Sequence, residues 1–134
     1  MKQLVFACIC CALVPGCIVE TNDSAPARVV DSGSLVLDWS IDGSKNPDQC
    51  DQSDSVTLDI TVTTLSGSPA GEFQESCRAF ATTVDLPPGR YNAEAVLLAP
   101  DGHDRTTAVQ TGPFTIYGND ELTVPVDFPA SSFY

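Results

Sequence analysis

Basic side chains are scarce in this sequence: six Lys and Arg stand against eighteen Asp and Glu, and the formal charge at pH 7 is −12. So few cations cannot form a patch that displaces counterions from phosphates, which excludes nucleic acid as a partner. Electrostatic adhesion to anionic lipid is excluded on the same ground. Histidine occurs once, as His103. A zinc centre would therefore lack imidazole ligands. No stretch of ten or more residues carries an apolar stripe at helical spacing, so amphipathic helices are not expected. Glycine loops for phosphate and the G-x-S-x-G nucleophile elbow are both missing. The longest apolar run, Leu4 to Val14, has eleven residues. That is too short to span a bilayer.

What is present favours strands. The 134 residues leave room for one domain, and 43% of them are hydrophobic, enough for a core. Thr, Ser, Val, Gly, Pro and Asp dominate, a composition of strands and turns. From Gly33 onward the apolar period is two. Leu35, Leu37, Trp39 and Ile41 form one such run, and Val56, Leu58, Ile60 and Val62 a second. Tyr91, Ala93, Ala95 and Leu97 form a third, and Leu122, Val124, Val126 and Phe128 a fourth. Each predicts a strand with one buried face. Weaker strands are expected around Gly71 to Ser76, Ala81 to Asp85, Thr106 to Gln110 and Phe114 to Tyr117. Turn signals such as Asp42-Gly43, Ser66-Gly67 and Gly118-Asn119-Asp120 separate the runs. About seven strands in this length predict an all-β, two-sheet sandwich. Pro125 cannot donate a ladder hydrogen bond, which puts the last strand at an edge.

Met1, Lys2 and the run Leu4 to Val14 read as a signal-peptide core. Cys8, Cys10 and Cys11 lie inside that core and act as small apolar residues. The segment ends in Val14-Pro15-Gly16-Cys17. This box resembles that of bacterial lipoproteins, in which the peptide is cut before the Cys and the Cys is acylated. The resemblance implies a signal peptide at 1–16, a lipid on Cys17 and attachment to the bilayer through it. Position 18 is Ile rather than Asp, which by the same resemblance implies the outer membrane, facing periplasm or cell surface. Residues 17–32 read as the lipidated Cys and a flexible tether. Residues 33–134 read as the folded domain. Losing Lys2 leaves five basic against eighteen acidic side chains in the mature chain. Such a surplus serves solubility at a surface.

The segment Leu86-Pro87-Pro88-Gly89-Arg90-Tyr91 carries the most specific pattern of the domain. Pro88 presets φ, Gly89 can take positive φ, and Leu86 and Tyr91 can then both face the core. The pattern resembles the L-x-P-G-x-Y corner of fibronectin type III domains and of transthyretin-like (carboxypeptidase-regulatory-like) sandwiches. The resemblance implies an Ig-like sandwich with a structural corner at Leu86, Gly89 and Tyr91, whose hydroxyl bonds back to upstream backbone. It implies no particular function.

Cys50 and Cys77 are the remaining cysteines of the mature chain, and an exported chain meets an oxidising compartment, so a Cys50–Cys77 disulfide is expected. The loop Asp42 to Asp54 is acidic, with oxygen side chains at positions 42, 44, 46 and 48. Asp42, Asp48, Asp51 and Asp54 are its candidate calcium or ligand contacts, although Pro47 and Ser53 replace the Gly and Glu of an EF-hand loop. His103 falls in Pro100-Asp101-Gly102-His103-Asp104, a hairpin tip, a poor place to bury a catalytic base. No catalytic residue is identified. The expectation is a cell-envelope lipoprotein whose sandwich is a binding or structural module for an envelope protein or glycan partner. A calcium-dependent adhesion or carbohydrate-binding module is the first alternative. An envelope hydrolase is the second.

Overall fold

The computed structural model describes residues 31–134. Residues 1–30, with the expected leader, Cys17 and most of the expected tether, lie outside the described residues. In chain order the elements are β1 (Gly33–Ile41), a short helix α1 (Asp48–Gln52), β2 (Thr57–Thr64), β3 (Pro69–Ser76), β4 (Ala81–Leu86), β5 (Gly89–Leu98), β6 (Val109–Ile116) and β7 (Glu121–Phe128). Single 3-10 turns at Cys77–Ala79 and Ala130–Ser132 complete them. The chain is an all-β sandwich of a three-stranded sheet, order β4-β1-β7, and a four-stranded sheet, order β3-β2-β5-β6.

The strands form where the period-two runs lie, because alternate side chains of a strand point to opposite faces. In β1, Leu35, Leu37, Trp39 and Ile41 are buried while Val36, Asp38 and Ser40 are only partly so. Leu58, Ile60 and Val62 of β2 and Ala93, Ala95 and Leu97 of β5 meet them from the other sheet, while Val124, Val126 and Phe128 of β7 join the core from their own sheet. The strand β1 is central, antiparallel to β4 and parallel to β7. The strand β7, which carries Pro125, is an edge strand, as a residue lacking an N–H requires.

Three expectations need correcting. Val56 is 46% exposed. It precedes β2 and joins the sheet through its backbone alone, donating to the Leu98 carbonyl and accepting from the Cys77 amide. The weak strands at Thr106 to Gln110 and Phe114 to Tyr117 are replaced by the single strand β6, whose pairing with β5 shifts register between Tyr91 and Ala93. Thr106 lies outside it and is buried because its Oγ1 accepts from the Leu97 amide at 3.1 Å. By sequence the segment Leu65 to Gly71 exceeds the length that a hairpin needs, but it is not a long loop. The Thr64 amide donates to the Ser68 carbonyl at 2.9 Å, closing a tight hairpin between β2 and β3.

Four connections cross between the sheets, and the registers sort them to two poles. Gly33 pairs with Leu86, and Ser34 with Glu121, so the chain enters β1 beside the β4–β5 corner and the β6–β7 turn. The Asn119 amide donates to the Ser32 carbonyl at 3.0 Å there. Ile41, at the far end of β1, pairs with Phe128. The β1–β2 and β3–β4 crossings lie at that second pole, with the β5–β6 loop and the turn Ala130–Ser132. Eight residue steps along β1 separate the poles by roughly 26 Å.

At the first pole the Tyr91 hydroxyl donates to the Pro87 carbonyl at 2.7 Å. Tyr91 and Leu86 are both buried. Gly89 fits the corner for a reason other than the one expected. Its φ is not positive. A Cβ there would stand 3.1 Å from the Tyr91 Oη and 3.2 Å from Cζ. The glycine is where the Tyr91 ring lies against the backbone. At the second pole Cys50 of α1 and Cys77 form a disulfide, Cα–Cα 6.1 Å, with both residues buried.

Two outcomes follow from these contacts. Tyr91→Phe strands the Pro87 carbonyl and should cost about 1–2 kcal/mol, read by urea unfolding. An unchanged midpoint would mean that the corner bond contributes nothing. Cys77→Ser should cost about 2–5 kcal/mol, since closing that loop is worth about 3.6 kcal/mol in chain entropy. Thiol labelling of unreduced, unfolded protein should find neither sulfur free.

Candidate functional site

The second pole gathers the polar loops. The chain leaves β1 through Asp42-Gly43, with φ of 49° and 71°. The amides of Ile41 and Ser44 each donate to the other's carbonyl at 2.9 Å. This is the two-residue turn that Asp-Gly favours, because both centres need positive φ. The Asp127 carboxylate braces it, accepting from the Ser40 hydroxyl at 2.6 Å and the Gly43 amide at 2.9 Å. Next, the Asn46 amide donates to the Ser44 Oγ at 3.2 Å, and the Asp48 amide to the Asn46 Oδ1 at 3.0 Å. The alternate oxygens of positions 44 and 46 thus hold the loop's own backbone as it turns into α1. After α1, Asp54 has φ 53°. Asp tolerates this left-handed position better than most residues.

The four candidate aspartates are not brought together. Asp42 and Asp54 occupy left-handed positions at opposite ends of the loop. Asp51 forms an ion pair with Arg78, and Lys45 forms one with Asp38. The hydrogen bond to Asp51, then its charge, raises the Arg78 guanidinium above its usual range. Desolvation opposes this slightly, and Asp48 adds a further upward push. Among the described residues no group of three His, Cys, Asp or Glu side chains is arranged to hold a metal ion. His103 is exposed at the hairpin tip. Its amide donates to the Asp101 carboxylate at 3.0 Å, and its carbonyl accepts from the Ala99 amide.

The concave feature at this pole is a cleft of about 320 Å³, the lower end of the range of small-molecule sites. One wall is the acidic loop, through Asp42, Gln49, Gln52 and Ser53. The other is the C-terminal segment, through Ala130, Phe133 and Tyr134, with Ile41 and Arg105 also lining it. Backbone bonds set the second wall: the Thr107 amide donates to the Ser132 carbonyl at 2.8 Å, and the Tyr134 amide to the Arg105 carbonyl at 3.1 Å. Phe133 packs against the core, while Tyr134 is 77% exposed. Arg105 joins the walls, its Nε donating to the Ser53 carbonyl at 3.0 Å. Its terminal amino groups have no hydrogen-bond partner among the described residues, and Arg105 forms no ion pair there.

Of the four aspartates singled out in the sequence, the cleft contains only Asp42. Arg105, Gln49, Gln52 and Tyr134 carried no motif. Their one available signal was scarcity, since Arg105 is one of few cations in an acidic chain.

No family model matches the chain, and no curated protein matches it. Among solved structures it is similar to a leucine-rich repeat protein from Bacteroides thetaiotaomicron VPI-5482, with a TM-score of 0.43 and 18% identity. That similarity covers 75% of this chain and 14% of the other.

The loop geometry predicts an asymmetric response to substitution. Asp42→Asn and Asp54→Asn should leave the melting temperature near wild type, because Asn also tolerates positive φ. Asp54→Val should cost about 1–3 kcal/mol, because a β-branched residue is strained there. Thermal unfolding of the three variants checks this. Equal losses for Asn and Val at position 54 would show that the carboxylate, and not the backbone, is what matters.

Proposed function

We propose that the chain is an outer-membrane lipoprotein that presents its sandwich as a binding module, with the cleft between the Asp42–Asp54 loop and the C-terminal segment as the binding surface. The observation that carries the reading is polarity. The chain enters the domain at Gly33, and the cleft lies at the opposite pole, beyond Ile41. A lipid on Cys17 would attach the chain to the bilayer by way of the first pole, and the cleft lies roughly 26 Å from that pole.

Three features support it. The run Leu4 to Val14 followed by Val14-Pro15-Gly16-Cys17 has the form of a lipoprotein leader. The buried Cys50–Cys77 disulfide suits a chain that matures in an oxidising compartment. The disulfide also ties down one wall of the cleft, lowering the entropy cost of ordering a binding surface.

The test is fractionation. Cys17→Ser should leave the precursor uncleaved or release the protein from the membrane fraction, while wild type needs detergent for extraction. A variant that is processed normally and still needs detergent would overturn the anchor. Wild-type protein found with the inner membrane would overturn the location.

A further inference from the structure

We infer that the cleft is a site for a neutral saccharide, an inference that rests on the binding-module reading and names its ligand. Three observations point to this chemistry.

The first is the state of the polar groups. At this pole several polar side chains are engaged: Asp51 with Arg78, Asp38 with Lys45, Asp127 with Ser40 and Gly43, while the exposed carboxylates of Asp48, Asp54 and Asp104, outside the cleft, face solvent. In the cleft the side-chain heads of Asp42, Gln49, Gln52 and Tyr134, with the terminal amino groups of Arg105, have no hydrogen-bond partner among the described residues. Together they offer donors, acceptors and groups that do both. A ligand bearing several hydroxyls, each able to donate and accept, matches that set.

The second is charge. Arg105 and Asp42 are the two charged residues of the lining and carry opposite signs. These two side chains offset each other, and the chain as a whole is −12. A polyanion would meet that field unfavourably. A neutral ligand meets no such cost and gains charge-assisted hydrogen bonds from both groups.

The third is the aromatic at the mouth. Tyr134 is 77% exposed while its backbone is pinned to the Arg105 carbonyl. An exposed ring with a fixed backbone supplies a flat apolar face of low entropy cost with a polar tip. A pyranose ring has a matching face of C–H groups, with hydroxyls at its rim.

The experiment uses the full-length protein extracted from whole cells in detergent, whichever fraction contains it. The probes are immobilised neutral oligosaccharides of gluco, manno, galacto and xylo configuration, with uronic-acid and sulfated oligosaccharides as charged comparators. Free amino acids are added as competitors. At least one neutral probe should bind in preference to the charged ones. Tyr134→Ala and Gln52→Ala, both at exposed positions, should each weaken that binding at least fivefold with the melting temperature unchanged. Arg105→Lys should weaken it too, because an ammonium cannot present two parallel N–H groups.

Binding of no neutral probe overturns the inference. So does a preference for charged probes, displacement by amino acids, or equal binding by Tyr134→Ala. Because binding is read on extracted protein, it is independent of the Cys17→Ser fractionation. The anchor can therefore fail while the saccharide site stands, and the reverse.

Discussion

The pole that carries the cleft depends on the joint between two chain crossings, made by the Cys50–Cys77 disulfide and the Trp39 indole N–H donating to the Cys77 carbonyl at 3.0 Å. Trp39 belongs to the central strand of one sheet. Cys77 follows the edge strand β3 of the other, and Cys50 sits in the connection between the sheets. The indole is fully buried, so its N–H must find a partner inside the protein. The Cys77 carbonyl supplies it, while the Cys77 amide donates to the Val56 carbonyl. Phe80, with φ 56°, then turns the chain back to β4, packs its ring 6.4 Å from that of Trp39, and accepts from the Trp39 amide at 2.9 Å. One residue of β1 thereby fixes where both crossings lie, and α1 follows because Cys50 is held.

The opposite pole is built by sterics rather than by a crosslink. Gly33 begins β1 where a Cβ would stand 2.1 Å from the Tyr117 carbonyl oxygen. Only a bare backbone passes there. Tyr91 closes the neighbouring corner over Gly89. Two glycines and one tyrosine hydroxyl thus align the incoming chain, the β4–β5 corner and the β6–β7 turn. Neither pole works without β1, which makes ladders on both sides and alternates buried with partly buried residues along its whole length.

What the sequence disclosed follows from what kind of constraint each feature obeys. Leu35 to Ile41, Leu58 to Val62, Tyr91 to Leu97 and Val124 to Phe128 lie on strands because burial on one face imposes period two, and a period is visible locally. Asp42-Gly43 was legible because positive φ restricts residue choice. The loss of Val56 from the core was not legible. Its alternation continues past the point where the facing sheet ends, and only the packing sets that point. The fusion of two weak strands into β6 was hidden because Gly112 and Pro113 read as a break, while an edge strand tolerates Pro. The parallel pairing of β7 with β1 is a property of topology, and no local pattern encodes it.

The cleft was hidden for a related reason, and the reason bears on how such a surface is made. The acidic loop, with Asp42 to Asp54 dense in carboxylates, drew attention as a site. Yet its polar groups are mostly spent on making the loop itself, as helix entrance, turn brace and ion pair. A loop that must hold its own shape without a core uses its Asp, Asn and Ser for that purpose. The groups left over lie on the side of the loop that faces another segment. There Arg105, Gln49, Gln52 and Tyr134 come from three separated stretches of chain, each ordinary in its own context. Composition shows where polar residues are dense, whereas a binding surface needs polar residues that remain uncommitted once the backbone has been satisfied. In this protein the two sets overlap at Asp42 alone among the aspartates, and the rest of what the acidic loop gives the cleft is Gln49, Gln52 and Ser53 rather than its carboxylates.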